Sequence, residues 1–320
     1  MTDEPEQHPQ QHRPAGRHGL VRTLLAAAEQ AAGSGAGAAA EAHLRAALVV
    51  ARRLVAAADP DDDAHARHDL SAAYVRLGSL SLDTGDPATA QRCYRASLAI
   101  TRGLAASRPG APACRDLGAA HQRLGDLALA QGDSVAAGRH YRDQLTALRR
   151  LPADDRESPA GRCELAACHY RVGDRAVAVG HRREAERHYR DGVAVVDGAG
   201  HDVEFHRALG TGYDRLGDIA MADGDLDAAA ERYRRSMELT RQVIAVRPAD
   251  AAALHDLSIS HEKLAETAAA AGDRADAVTQ FRAALSAVRR WVAVDPASRS
   301  ARDDLAYLAD RVHAAERGAA

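Results

Sequence analysis

The chain has 320 residues, with 42 Lys and Arg against 45 Asp and Glu and a formal charge of −3. That balance lacks the basic footprint of a general nucleic-acid binder, and no run of about 18 apolar residues is free of charge, so no membrane span is expected. Hydrophobic residues make up 46% but aromatics only 3%, so burial must rest on Ala, Leu and Val, in helices that approach closely through small side chains.

Residues 1–18 are rich in Pro, Gln, His and charge and contain no apolar stretch. They read as a disordered tail, not a signal peptide, and a cytoplasmic location is expected. His8, His12 and His18 fall in this tail and receive no role. From residue 19 the chain repeats itself with a period of about 48 residues. A fixed period of this kind marks stacked units, each completing its neighbour's core. Residues 19–60 form a degenerate first pair of helices, in which Gly35, Ala40 and Leu44 stand where later units place Gly85, Ala90 and Tyr94. Its loop from Gly33 to Gly37 is expected to be looser than the later turns. Five full repeats follow, over 64–110, 111–158, 159–202, 203–249 and 250–297, and a capping helix over 299–317 closes the array.

Within each repeat the first helix opens on Leu70, Leu117, Leu165, Leu209 or Leu257. Leu117, Ala120, His121, Leu124, Gly125 and Ala128 fall on one helical face. The helix stops at Gly85, Gly132, Gly180, Gly224 or Gly272, because glycine takes the left-handed C′ conformation freely. Asp86, Asp133, Asp225 and Asp273 come next and suit the N-cap of the second helix, with Pro87 at N1. The third repeat has His181 there, so its turn is expected to be the weakest. The second helix carries Tyr94, Tyr141, Tyr189, Tyr233 or Phe281 into the core, runs about 20 residues or roughly 30 Å, and mostly ends at a proline such as Pro109 or Pro248. Sustained alternation of period two is absent, so no strand is predicted.

The residues that look chemical fit this frame. His121, His169 and His261 occupy one packing column, where each ring fills the space between paired helices and reaches a backbone carbonyl or water; successive repeats set the rings in a row, not around a shared metal ion. Cys163, Cys168 and His169 give a weak metal signal, and the four cysteines (with Cys93 and Cys114) have no redox spacing. No nucleophile elbow, HExxH or phosphate loop is present, so neither an enzyme nor a cofactor is expected. Arg123/Asp126, Arg171/Asp174, Arg215/Asp218 and Lys263/Glu266 are i, i+3 neighbours on first helices. They read either as a solvated stripe of ion pairs or as one wall of a binding groove. Arginines on second helices, such as Arg139 and Arg187, read as outer surface.

The columns Leu77, Gly78, Ala90, Tyr94 and their equivalents through Leu264, Ala265, Ala277, Phe281 resemble the tetratricopeptide repeat (TPR). Two features depart from it: the period exceeds the usual 34 residues, and the early tryptophan column holds Tyr74, His121, His169, Tyr213 and His261. Long-period versions are similar to repeats found beside bacterial signalling ATPases and in kinesin-light-chain-like proteins. The resemblance implies an all-α, TPR-like α-solenoid of antiparallel helix pairs forming a curved superhelix. It implies a non-enzymatic scaffold that holds a protein or extended peptide on a concave face lined by first helices. On this resemblance the groove residues are Gln122, Asp126, Tyr170, Asp174, Asp214, Asp218, Glu262 and Glu266, suited to a basic or mixed-charge partner, with Tyr170 as an amphipathic contact. The alternative is a regulatory or sensor module that controls a separate ATPase, protease or kinase. Oligomeric state is not legible.

Overall fold

A computed structural model describes residues 15–58, 62–198, 200 and 202–318. Among them lie fourteen helices and no strand: α1 (Ala15–Gly33), α2 (Gly37–Ala57), α3 (Asp63–Asp83), α4 (Pro87–Ser107), α5 (Ala111–Ala130), α6 (Ser134–Arg149), α7 (Ala153–Glu157), α8 (Pro159–Ala178), α9 (Arg182–Val196), α10 (Val203–Asp223), α11 (Leu226–Val246), α12 (Ala251–Ala270), α13 (Arg274–Val294) and α14 (Arg299–Arg317). The chain is an all-α, TPR-like solenoid whose residues divide into two compact units, parting between Pro152 and Ala153. The first stacks the pairs α1/α2, α3/α4 and α5/α6. The second stacks α8/α9, α10/α11 and α12/α13 and ends on α14; its short α7 has no counterpart in the sequence reading. No described helix is long and apolar enough to cross a membrane.

One turn is built six times. Gly85 has φ 79°; its N–H donates to the Leu82 carbonyl at 3.0 Å, and the Asp86 N–H donates to Ser81 at 2.7 Å. This pair of bonds is a Schellman motif. The Asp86 side chain then accepts from the Thr89 N–H at 2.9 Å, so one residue both ends a helix and caps the next. Asp133, Asp225 and Asp273 cap α6, α11 and α13 in the same way. Against the expectation from its composition, the loop at Gly35 is no looser than the others: Gly35 has φ 78°, and the Ala36 N–H donates to Ala31 at 2.9 Å. It lacks only a cap, because Ala36 has no polar side chain. His181 likewise makes no side-chain cap.

The core follows the aromatic column. Tyr94, Tyr141, Tyr189 and Tyr233 are buried, with Phe281 and Trp291. Each tyrosine ring packs directly against a glycine of the first helix. A Cβ on Gly125 would fall 2.6 Å from Tyr141 Cε1, and one on Gly217 would fall 2.4 Å from Tyr233 Cε1. The leucine–glycine phrase is therefore a packing requirement of this close approach. The N-terminal assignment needs correction. Residues 1–14 lie outside the described residues, but His18 belongs to α1 and is buried. Its Nδ1 lies 2.6 Å from Asp69 Oδ2 and its Nε2 lies 3.0 Å from Asp62 Oδ2, which ties α1 to α3.

The repeated cap sets a stability test. His181→Asp should stabilise the second unit by about 0.5–1 kcal/mol, and Asp225→Ala should destabilise it by about 1 kcal/mol. Thermal melts of the two variants should shift in opposite directions; a His181→Asp variant that melts lower would refute the capping account.

Candidate functional site

The acid one residue past the buried glycine is engaged by the tyrosine of its own repeat, and Asp174 and Asp218 are held from a second side as well. Within a repeat, the tyrosine hydroxyl donates to it: Tyr141 to Asp126 at 2.6 Å, Tyr189 to Asp174 at 2.9 Å and Tyr233 to Asp218 at 2.8 Å. The second contact comes from the following repeat. Arg215 makes a two-pronged pair with Asp174, Nε to Oδ1 at 2.7 Å and Nη2 to Oδ2 at 2.9 Å, and Lys263 reaches Asp218 at 2.7 Å. Arg76 pairs with Glu29 at 2.7 Å and Arg311 with Glu266 at 3.4 Å. The expected pairing of Arg215 with Asp218 and Lys263 with Glu266, three residues on, is thus replaced by pairing to the preceding repeat. The cations lie over aromatic faces on the way: Arg215 is 5.5 Å from the Tyr170 ring centre, Lys263 5.2 Å from Tyr233 and Arg311 4.7 Å from Phe281. Burial, with the neighbouring carboxylate, pushes the Tyr189 and Tyr233 phenols well above their ordinary range, so they stay protonated donors.

In the second unit these residues border a cleft of about 590 Å³ on α8, α9, α10 and α12. Asp174, Arg182, Thr211, Asp214, Arg215, Asp218, Asp256 and Lys263 line it. Its three cations are engaged: Arg215 with Asp174, Lys263 with Asp218, and Arg182 with Asp223 at 2.6 Å. Asp214 and Asp256 supply the remaining negative charge. Asp214 Oδ1 is buried and takes no hydrogen bond among the described residues. Burial pushes its carboxyl up to about 6, against the pull of Lys263 and a Ser236 hydrogen bond. Burial also raises the Asp256 carboxyl.

Three of the sequence-derived groove residues, Asp174, Asp214 and Asp218, meet in this cleft. Gln122 and Asp126 belong to the first unit, where Gln122 Oε1 accepts from Gln144 Nε2 at 3.1 Å and Asp126 is engaged by Tyr141. Glu262 accepts from Tyr307 and Glu266 pairs with Arg311, both toward α14. Tyr170 is not a surface contact: it is 3% exposed, and its hydroxyl donates to the Ala208 carbonyl at 2.9 Å. Gly192 and Gly212 make the niche, since a Cβ on either would come within 2.4 Å of the tyrosine. Asp256 and Thr211 were missed by the sequence reading. Asp256 belongs to the acid column that precedes the opening leucine, which gives no hint of a cleft. The histidine column also differs from expectation. His121 Nδ1 meets not a carbonyl but His140 Nδ1, at 3.3 Å, and His169 meets His188 at 3.2 Å. Burial holds the His121 imidazole down to about 4, so the ring is neutral near pH 7.

Residues 213–243 and 71–103 each match the tetratricopeptide repeat family. Among curated proteins, no significant match is found. Among solved structures, the chain is similar to BtubC (BKLC) from P. vanneervenii, with 20% identity, 81% of this chain and 92% of that chain covered, and a TM-score of 0.61. It is also similar to the S. pombe nuclear import adaptor Nro1, with 11% identity, 92% and 99% covered, and a TM-score of 0.56. At these identities the likeness establishes the fold alone.

The cleft's electrostatics predict a stability cost at Asp214. Its folded value near 6 lies above the unfolded value near 3.8, so the ionised form is disfavoured in the native state; the cost builds up as pH rises from 3.8 to 6 and is fully present above that. Asp214→Asn should therefore stabilise the chain at pH 7.5, on the order of 1–2 kcal/mol, and have little effect at pH 4. Melting curves at the two pH values check this; an Asn variant that melts lower at pH 7.5 would contradict it.

Proposed function

The chain is a tetratricopeptide-repeat protein, and from that premise we propose that its second unit holds a protein or extended peptide by seating a basic side chain of the partner in the α8/α10/α12 cleft. Repeats of this kind serve as protein-interaction scaffolds, and the role proposed is binding, with no catalytic step. The observation that carries the reading is Asp214, a carboxylate with one buried oxygen left without a hydrogen bond. Such a group is costly unless a partner completes it. Asp174 and Asp218 are already matched by Arg215 and Lys263, so an incoming cation would find its free acceptors at Asp214 and Asp256. A guanidinium, with its planar fork of donors, suits two neighbouring carboxylates. Around it, the clamped ion pairs and the Thr211 hydroxyl present mixed charge to the rest of a segment, which favours a partner of basic or mixed charge over a strongly acidic one.

Short fluorescent peptides that carry one central arginine or lysine, and matched peptides with glutamine there, provide the test by anisotropy. The basic peptides should bind more tightly than the glutamine ones. Asp214→Asn with Asp256→Asn should weaken basic-peptide binding about tenfold, or ~1.4 kcal/mol, while Asp126→Asn in the first unit leaves it unchanged. Equal binding by the double variant would remove these two carboxylates from the site.

A further inference from the structure

Two side-chain clusters away from the cleft share one geometry. On α5 and α6, His121, His140 and Asp143 bring one ligand atom each within 4.8 Å of one another; on α8 and α9, His169, His188 and Asp191 do the same. The Nδ1 atoms of the paired rings are 3.3 and 3.2 Å apart. The first-helix ring lies 3.6 Å from Asp143 Oδ2 and, in the second cluster, 3.8 Å from Asp191 Oδ2. The ring centres are 5.6 and 5.4 Å apart, at 46° and 48°. In sequence, each cluster is a first-helix histidine followed 19 residues later by His-Tyr-Arg-Asp. The histidine and aspartate of that phrase share one helix face at i, i+3, and the tyrosine between them is the buried core residue, Tyr141 or Tyr189, which fixes the direction of both.

We propose that each cluster binds a divalent transition-metal ion, best matched by Zn²⁺, and that the ion ties together the two helices of its repeat. Imidazole and carboxylate are ordinary zinc ligands. Two nitrogens at about 2.0–2.1 Å from a tetrahedral ion stand about 3.4 Å apart, which is close to the separation of both ring pairs. The acids sit slightly farther off, but their side chains are 55% and 47% exposed and can swing inward. That exposure also provides the entry path and leaves a fourth position open to water or to a donor from a bound partner.

The remaining repeats act as internal comparisons. At the same three positions they hold Tyr74, Cys93 and Ala96; Tyr213, Arg232 and Arg235; and His261, Gln280 and Ala283. The second histidine and the acid occur together or not at all. In the fifth repeat His261 Nδ1 and Gln280 Oε1 form an ordinary hydrogen bond at 2.8 Å, so packing of the first histidine does not require a second one. A packing role alone would not call for a carboxylate beside that pair in two repeats.

The full chain, stripped with a chelator and titrated with Zn²⁺ by calorimetry, tests the proposal. It should take up two equivalents, and Zn²⁺ should raise its melting temperature. His140→Gln and His188→Gln should each remove one equivalent and together remove both; because the fifth repeat already sets glutamine against histidine, these variants should keep the circular dichroism of the parent. Gln280→His combined with Ala283→Asp should add a third equivalent, an arm that does not depend on damaging a site. Absence of uptake by the parent chain, uptake that persists in the double variant (on His8 and His12, for example), or failure to gain the third equivalent would overturn the proposal.

Discussion

The carboxylate one residue past the buried glycine joins two scales of the structure. Its tyrosine partner locks the helices of one repeat, and its cationic partner locks that repeat to the next, as Tyr189, Asp174 and Arg215 do at 2.9 and 2.7 Å. The tyrosine contact rests on the glycine, because a Cβ there would strike the ring that carries the hydroxyl to the acid. The cationic contact does not, since Glu29 and Glu266 follow Ala28 and Ala265 and still pair with Arg76 and Arg311. The exceptions obey the same rule. In the first full repeat the acid is replaced by Ser79, which still meets the Tyr94 hydroxyl at 3.2 Å. In the fifth, Phe281 has no hydroxyl, and Glu266 pairs with Arg311.

This arrangement separates the acids that hold the stack from Asp214, which does not take part in it. A column of carboxylates along successive first helices has the look of an acidic groove, yet most of its members are spent on holding the stack. Asp214 belongs to the neighbouring column, four residues earlier, where no tyrosine or arginine engages its buried oxygen. Retaining such a group costs stability, and natural sequences carry that cost most often where a ligand offsets it. The histidine clusters use the same frame differently: the helix pair carries them at a fixed register, and the tyrosine between the second histidine and the aspartate sets their direction.

How much of this was legible in the sequence follows from the range of each interaction. The helices, the six Gly turns, the aspartate caps and the aromatic core column depend on residues a few positions apart, and the periodicity carries them. The ion pairs do not: Arg215 finds Asp174 at a separation of 41 residues, while its neighbour at i+3 offers an equally plausible partner on paper. Tyr170 sits in the first-helix column that also holds Gln122 and Asp214, and reads as a surface residue until Gly192 and Gly212 are seen to hollow a niche for it. Those two helix-interior glycines were the available signal. Asp256 and the His140 and His188 rings were illegible for another reason, since each lies in a column whose other members have unrelated roles.

A double-mutant cycle on Asp174→Ala and Arg215→Ala, read by chemical denaturation of the full chain, tests the two-sided clamp most directly. If the carboxylate couples the repeats as described, the two changes should be non-additive by about 1–3 kcal/mol, and Asp174→Ala should cost more than Arg215→Ala because it also strands the Tyr189 hydroxyl. Additive effects would show an ordinary surface ion pair and contradict the account.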